Sequence, residues 1–511
     1  MYVNSFKSIN QRLAISNDSY QRTTEPFHEE TAQGLWNRCA DRGDIYLSAY
    51  EGWYNEREET FVTDSDAEAS EFKDPASGVP LKRVSEESYF FRMSKYEARL
   101  IEVIEQNPEF IQPEQFRTQI LIRLKKDGLR DLSISRTTFK WGIPVPKGFK
   151  DDHVMYVWFD ALTNYGTGVH FLDETHPLSK FWPANCHIIG KDIIWFHSVI
   201  WPCMLMSAEL PLPKGVFSHG FVNASDGRKM SKSFGNTIDP NAILDLYPSD
   251  SVRYYCIASI TYGTDLNFAT ANLIQMHNSE LADILGNLIH RVLTLSEKYC
   301  SGVVPDIISH DAQYGTPFDI TTVVGAITDA MNTYAIHTAL FIAMETVRNT
   351  NKWLTEAEPW KMKGDNEHRR IIIVRTALEA MYAFAHFLAP VLPHTAQIIF
   401  QERLHTPPIS IHALKPNFFN LIPGTVISQG AVLFTKIEDI DQGNKEAGSN
   451  DSTPTTGTGT VTGATKKTKT KVVITKKPPV FVANMEQNEF TRMEFRVGEI
   501  TKVWDHPTAD R

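Results

Sequence analysis

Asn185-Cys186-His187-Ile188-Ile189-Gly190 is an apolar run of strand length that passes directly into Lys191-Asp192-Ile193-Ile194-Trp195-Phe196-His197. Two similar runs flank it, Val154-Met155-Tyr156-Val157-Trp158-Phe159-Asp160-Ala161 upstream and residues 215–223 downstream. All three read as strands, each followed by helix-like or loop residues. This alternation predicts a parallel α/β sheet. Ligands bind such sheets at the carboxyl ends of their strands. The chemistry-bearing groups between 156 and 233 then gather at one sheet edge.

The chain outside this region is organised differently. From about 270 onward Leu281, Ile284, Leu285, Leu288, Val292 and Leu295 recur at three- and four-residue spacing, which predicts a helix with one apolar face. Residues 371–388 are apolar nearly all round and read as a buried helix ended by Pro390 and Pro393, so this part is a helical bundle. Upstream, 34–41 reads as a helix end capped near Gly43. Residues 45–92 alternate aromatic and charged residues around a turn at 75–78, and 95–127 are helical with breaks near Pro108 and Pro113. Residues 443–470 are rich in Gly, Ser, Thr and Asn without a hydrophobic period. Together with the lysines at 466–477 they form a flexible linker, and a folded pattern resumes near 490.

Composition narrows the class. A chain of 511 residues with 42% hydrophobic content supports two to four domains with real cores. No run approaches about 18 apolar residues, so no membrane span is expected. The net charge of -10 argues against wholesale coating by nucleic acid. The five cysteines at 39, 186, 203, 256 and 300 form no CxxC pair, which supports neither a disulfide framework nor a zinc knuckle. Met1-Tyr2-Val3-Asn4 begins no apolar signal segment.

The most specific stretch is Gly227-Arg228-Lys229-Met230-Ser231-Lys232-Ser233-Phe234-Gly235-Asn236, after Ser218-His219-Gly220-Phe221. Two ammonium groups and two hydroxyls on a short loop suit a triphosphate. In adenylation a carboxylate attacks the α-phosphate of ATP and pyrophosphate leaves. Cations that engage the phosphates most strongly in the transition state lower that barrier. A lone KxxK is usually a solvated loop; the whole decapeptide is far less common.

This KMSKS loop resembles the signature loop of class I aminoacyl-tRNA synthetases, and residues 10–440 are similar to the methionyl-tRNA synthetase family. The supporting segments are Ser16-Asn17-Asp18, Arg22-Thr23-Thr24 with His28, Tyr50-Glu51-Gly52-Trp53-Tyr54, Ile134-Ser135-Arg136 and Trp141-Gly142-Ile143-Pro144. To these are added Tyr156–Tyr165, read as the substrate strand, and Gly190–His197, matching GKDxxxFH. The resemblance implies a Rossmann-type catalytic domain whose first half ends at residues 1–45. A connective insertion over 46–133 follows, then the second half over 134–235 and a stem-contact segment over 236–270. It further implies a helical anticodon-binding domain over 271–442, a Lys-rich linker over 443–480 and the start of an OB-type tRNA-binding domain over 481–511.

The same resemblance implies the site residues. Lys229 and Lys232 are catalytic. ATP is held by His219, Gly220, Lys229, Met230, Ser231, Lys232 and Ser233. Methionine is held by Trp158, Tyr165, Asp192, His197 and Trp201, a thioether packing well on aromatic faces. The CAU anticodon of tRNA(Met) is read by Asn287 and Arg291, four apart on one helix face, with Trp360 in a loop-like setting. ATP with Mg2+ is expected, and no zinc or other metal site, because the insertion has no cysteine. Partners are methionine, ATP and tRNA(Met), with a homodimer or multi-synthetase contacts through a complete C-terminal domain. A cytoplasmic setting is expected, with mitochondrion or plastid as the alternative. The family's HxGH motif is absent from the 511 residues, so the expectation is a chain that begins within the catalytic domain and is inactive by itself. Two other readings stay open: a class I synthetase for isoleucine, leucine or valine, and a non-catalytic tRNA-binding scaffold.

Overall fold

The structure, a computed structural model, describes residues 2–438 apart from 56–59, 63, 76, 139, 232–234, 261–262 and 308–312. The expected linker and OB-type segment lie outside the described residues. Helices α1 (Tyr2–Arg12) and α2 (Pro26–Asp41) lead into strand β1 (Ile45–Asn55). Strand β2 (Thr60–Val62), helix α3 (Asp64–Ala69) and strand β3 (Lys82–Phe91) follow, with β1 paired antiparallel to both β2 and β3. The turn expected at 75–78 is closed by the amides of Asp74 and Gly78, which donate to the carbonyls of Val79 and Asp74 at 2.8 Å each. Helix α4 (Glu97–Gln106), strand β4 (Ile111–Gln112) and helix α5 (Glu114–Asp127) come next, broken near both expected prolines. The short strands β5 (Leu132–Ser133), β6 (Ser135–Arg136) and β7 (Val154–Met155) return the chain to helix α6 (Val157–Thr167).

The strand expected over 154–161 is therefore two residues long, and its remainder is helix. The physical reason is visible in burial: Phe159, Leu162, Thr163 and Gly166 are buried at helical spacing. An eight-residue apolar run cannot by itself distinguish a buried strand from a buried helix. The parallel sheet lies elsewhere. Strand β8 (His187–Gly190) pairs in parallel with β9 (Val216–His219), and β9 pairs in parallel with β4, giving the order β4-β9-β8. Because β4 falls inside 46–133, that segment is not a self-contained insertion. Leu100, Ile104, Phe116 and Ile120 share one core with Trp36, Phe159 and Trp201. Buried Asp44 bolts the two parts together, accepting hydrogen bonds from Lys95 at 2.7 Å, Ser207 at 2.8 Å and the Tyr96 hydroxyl.

Helix α7 (Trp201–Ser207) precedes β9, and strand β10 (Val222–Asn223) follows it. Helices α8 (Pro240–Leu246) and α9 (Ser249–Ala258), then strand β11 (Leu266–Asn267), carry the chain to helix α10 (Thr270–Met276). The bundle consists of α11 (Asn287–Cys300), α12 (Ile320–Asn332), α13 (Ile336–Ala357), α14 (Glu367–Leu388) and α15 (Pro393–Ile398). The residues of the expected leucine stripe are buried in one core with α13 and α14, Ile284 only partly, although 277–286 is wound as π-helix. Helix α14 is apolar and long enough to cross a membrane, yet 89% of that window is buried inside the bundle. Arg253 on α9 ties the bundle to the segment after α1, donating to the carbonyls of Leu13 (2.7 Å), Pro390 (2.6 Å) and Val391 (2.9 Å). The Pro390 turn is thus structural.

Inside α14 the fully buried Arg375 and Glu379 form an ion pair at 2.7 Å. Arg375 also donates to the carbonyls of Pro305 and Leu421, and Glu379 accepts from the amides of Asn420 and Leu421. The pair pins the 400–434 return segment to the bundle. Removing one partner strands the other charge in a medium that cannot solvate it. Glu379→Ala is expected to cost about 3–5 kcal/mol, read from the shift in chemical denaturation. Lys352→Ala, at an exposed pair with Glu356, is expected to stay within about 0.5 kcal/mol.

Candidate active site and anticodon-binding surface

The parallel register sets Gly190 beside His219, so the loops leaving β8 and β9 start side by side. Gly220 follows, and a Cβ there would fall 2.1 Å from the Thr264 carbonyl oxygen. Only glycine tolerates this approach, which lets β10 and β11 lie parallel. The loop bearing the lysines grows from β10. Lys229 bridges back to Asn223, and a turn between closes through the Gly227 amide to the Ala224 carbonyl at 2.9 Å, with Gly227 at φ +82°. Asn236 clasps the far side: its Oδ1 accepts from the Ser231 amide (2.8 Å) and its Nδ2 donates to the Lys229 carbonyl (3.3 Å). Met230 packs on an apolar cluster that includes Ile243, Tyr255, Leu266 and Leu273. The Lys229 ammonium is exposed, 4.6 Å from the centroid of Phe221. Lys232 and Ser233 lie outside the described residues. His219 is exposed, its Nδ1–H donating to the Gly220 carbonyl at 2.8 Å.

The aromatic site forms between α6 and the segment after β8. Phe196–Ile200 is a π-helical turn, a form that recurs at functional sites. It stacks Phe196 on Trp158 at 3.8 Å and 16°. His197 meets Tyr165 edge-on at 4.9 Å and 89°, and Trp158 at 6.3 Å and 83°. Helix α6 is held in place by buried His28, which bridges Asp160 (2.6 Å) and Thr167 (2.8 Å). The His197 Nδ1–H donates to the Ile193 carbonyl at 3.0 Å. Its Nε2 is then an acceptor, buried and without a partner among the described residues. Trp201 is fully buried; its indole N–H donates to His187 Nε2 at 3.2 Å, and His187 meets Tyr165 at 4.7 Å. Trp158 and Tyr165 thus both present their rings to His197, whereas Trp201 joins them through His187. Asp192 is exposed at the end of β8.

The third constellation is on the bundle. Asn287 and Arg291 line a surface cleft of ≈ 540 Å³ with Asp283, Asn351, Lys352, Thr355 and Glu356. Glu358, in the left-handed region at φ +44°, turns the chain into Pro359–Lys361. This sets the Trp360 ring 4.5 Å from the Arg291 guanidinium, which also donates to Thr355 Oγ1 at 3.2 Å. The three expected residues therefore gather at one place. The sequence reading missed His187, Phe196, Asn236 and the His28–Asp160 brace. The Phe-His pair within Gly190–His197 carried a signal for Phe196; the others depend on tertiary neighbours.

The family described as class I tRNA synthetases (M) matches residues 1–71 and 67–293, and the anticodon-binding domain of methionyl-tRNA ligase matches 315–448. Methionine–tRNA ligase of Halalkalibacterium halodurans is 37% identical over 456 residues, covering 85% of this chain and 68% of the relative. That of Rhizobium meliloti is 40% identical over 397 residues, covering 76% of each. A Mycobacterium tuberculosis methionyl-tRNA synthetase structure, described as bound by methionyl-adenylate, superposes with a TM-score of 0.75 at 34% identity. It covers 84% of this chain and 86% of that one.

Electrostatics keep the aromatic site neutral. Burial, with His197 close by, pushes His187 from its ordinary 6.5 down to about 4. Burial also lowers His197, against the opposing Ile193 carbonyl. As pH falls below about 6.5 the unfolded chain takes up the His187 proton first. The contribution of His187, roughly 3 kcal/mol, is therefore complete above that pH and lost on the way down to about 4. His187→Gln keeps an acceptor for Trp201 without titrating. Between pH 7 and 4.5 wild type is expected to lose stability relative to this variant by about that amount; a pH-independent difference in unfolding free energy would contradict it. With the two family models matching most of residues 1–448 and relatives 37–40% identical over most of its length, the chain belongs to the class I methionyl-tRNA synthetases.

Proposed function

We propose specific roles for these residues in methionine activation and tRNA(Met) recognition. The thioether of methionine lies against Trp158 and Tyr165, with His197 Nε2 at the polar end of the slot, and the substrate ammonium pairs with Asp192. The observation that carries this reading is the buried acceptor of His197, without a partner among the described residues and set among aromatic edges. A polarizable sulfur is favoured beside such rings and needs no charge from the protein. The methionyl-adenylate in the Mycobacterium tuberculosis enzyme, at 34% identity, supports the same assignment.

In the first step a methionine carboxylate oxygen bonds to the α-phosphorus of ATP and the bond to pyrophosphate breaks. Lys229 and Lys232 neutralise the charge that gathers on the departing phosphates. ATP enters as its magnesium complex. In the second step a hydroxyl of the terminal adenosine of tRNA attacks the acyl carbon, and AMP leaves. The segment 46–133, without cysteine, is proposed to work without zinc. Trp360 offers a stacking face to an unstacked anticodon base, while Asn287 and Arg291 supply edge hydrogen bonds.

Trp360→Ala is expected to weaken binding of a CAU-anticodon tRNA by about 10- to 100-fold, the usual worth of one stacked base. Methionine binding should be unchanged. Filter binding with CAU and altered-anticodon tRNAs checks this; equal affinity of wild type for both would refute anticodon reading at this cleft.

A further inference from the structure

Lys191 has no role in the mechanism above, yet it stands beside the lysine loop. Its ammonium lies 2.7 Å from Asp265 Oδ1 and 4.7 Å from the Phe221 centroid, the ring that Lys229 approaches at 4.6 Å. Phe221 is thus a shared platform for two ammonium groups. Like charges do not share one ring without something to hold them, and Asp265 does so here. Its carboxylate also accepts from the Phe221 amide at 2.8 Å and from Asn223 Nδ2 at 3.4 Å. Burial works against the ionised carboxylate, but Lys191 and these donors outweigh it and hold Asp265 below its ordinary range.

We propose that Lys191 is a third phosphate-binding cation of the ATP site, held by Asp265 in the free protein and transferred to the polyphosphate when nucleotide binds. The inference rests on the reading of the 229–233 loop as the triphosphate loop. Three features carry it. The Lys191–Asp265 pair is about a third exposed on both sides (30% and 31%). Such pairs are weak, so releasing the lysine costs little. Asp265 keeps the Phe221 amide and Asn223 after the lysine leaves, so no carboxylate is left bare. A multiply charged polyphosphate is a stronger partner for an ammonium than a single carboxylate. The arrangement keeps the free site from presenting an uncompensated positive cluster.

The test is a double-mutant cycle in the full chain, with inorganic tripolyphosphate as the probe in isothermal titration at low salt. Lys191→Met, which keeps an apolar stem over Phe221, should weaken binding about 10-fold, and Lys191→Arg should restore most of it. Asp265→Asn should tighten binding about 3-fold by freeing Lys191, and this gain should vanish in the Lys191→Met background. Thermal unfolding of each variant separates folding losses from binding losses. Unchanged affinity in Lys191→Met with weakened affinity in Lys229→Ala would overturn the role of Lys191 alone. Unchanged affinity in both would remove the triphosphate loop reading beneath it. An Asp265→Asn gain that persists without Lys191 would show simple relief of repulsion and also overturn the proposal.

Discussion

The parallel pairing of His187–Gly190 with Val216–His219 is the constraint on which the site depends. It starts two loops at the same level of the sheet, one carrying Lys191 and Asp192, the other leading to Lys229. The second loop can leave in the right direction only because Gly220 has no side chain where the Thr264 backbone passes. That close approach admits β11 alongside β10. The stem of the lysine loop is therefore paired to the strand that leads into α10. Met230 lies on the cluster built from those same elements. Tyr255 of α9 and Leu273 of α10 belong to that cluster.

The aromatic site between α6 and the turn after β8 follows a different logic. Its walls are rings, and burial keeps both imidazoles neutral. A neutral slot favours a side chain that is polarizable but uncharged. Placing the acceptor of His197 there without a partner among the described residues is costly in isolation, since a buried polar group normally needs a hydrogen bond. The cost is tolerable at a binding site, where a ligand or water completes the group. His28, bonded to Asp160 and Thr167, braces α6.

Much of this was legible in the sequence. The α/β class followed from strand–helix alternation. The lysine loop was identified by ten consecutive residues; helical spacing placed Asn287 and Arg291 on one face, but only the family resemblance singled them out. The element over 154–161 was misread, for a definable reason. A run of eight apolar residues fits strand or helix, and only burial at 159, 162, 163 and 166 decides for helix. The difference matters for function. Trp158 and Tyr165 are seven apart, which puts them on opposite faces of a strand but on one face of a helix. Only the helix brings both to His197. Strand β4 was missed because two residues carry no periodicity, and its place in the sheet is fixed by a partner about a hundred positions away. Trp201 was legible as an aromatic but not as one turned toward His187, because hydrogen bonding between distant segments leaves no mark in spacing.

The central claim is that α6 and the turn after β8 form a neutral slot selective for the methionine side chain. Calorimetric titration of the full chain with methionine, leucine and isoleucine, before and after Trp158→Ala, tests it most directly. The account predicts preferential binding of methionine and at least a roughly 10-fold loss in the variant, the scale of losing one large aromatic contact. Tighter binding of leucine or isoleucine, or methionine affinity unaffected by Trp158→Ala, would contradict it.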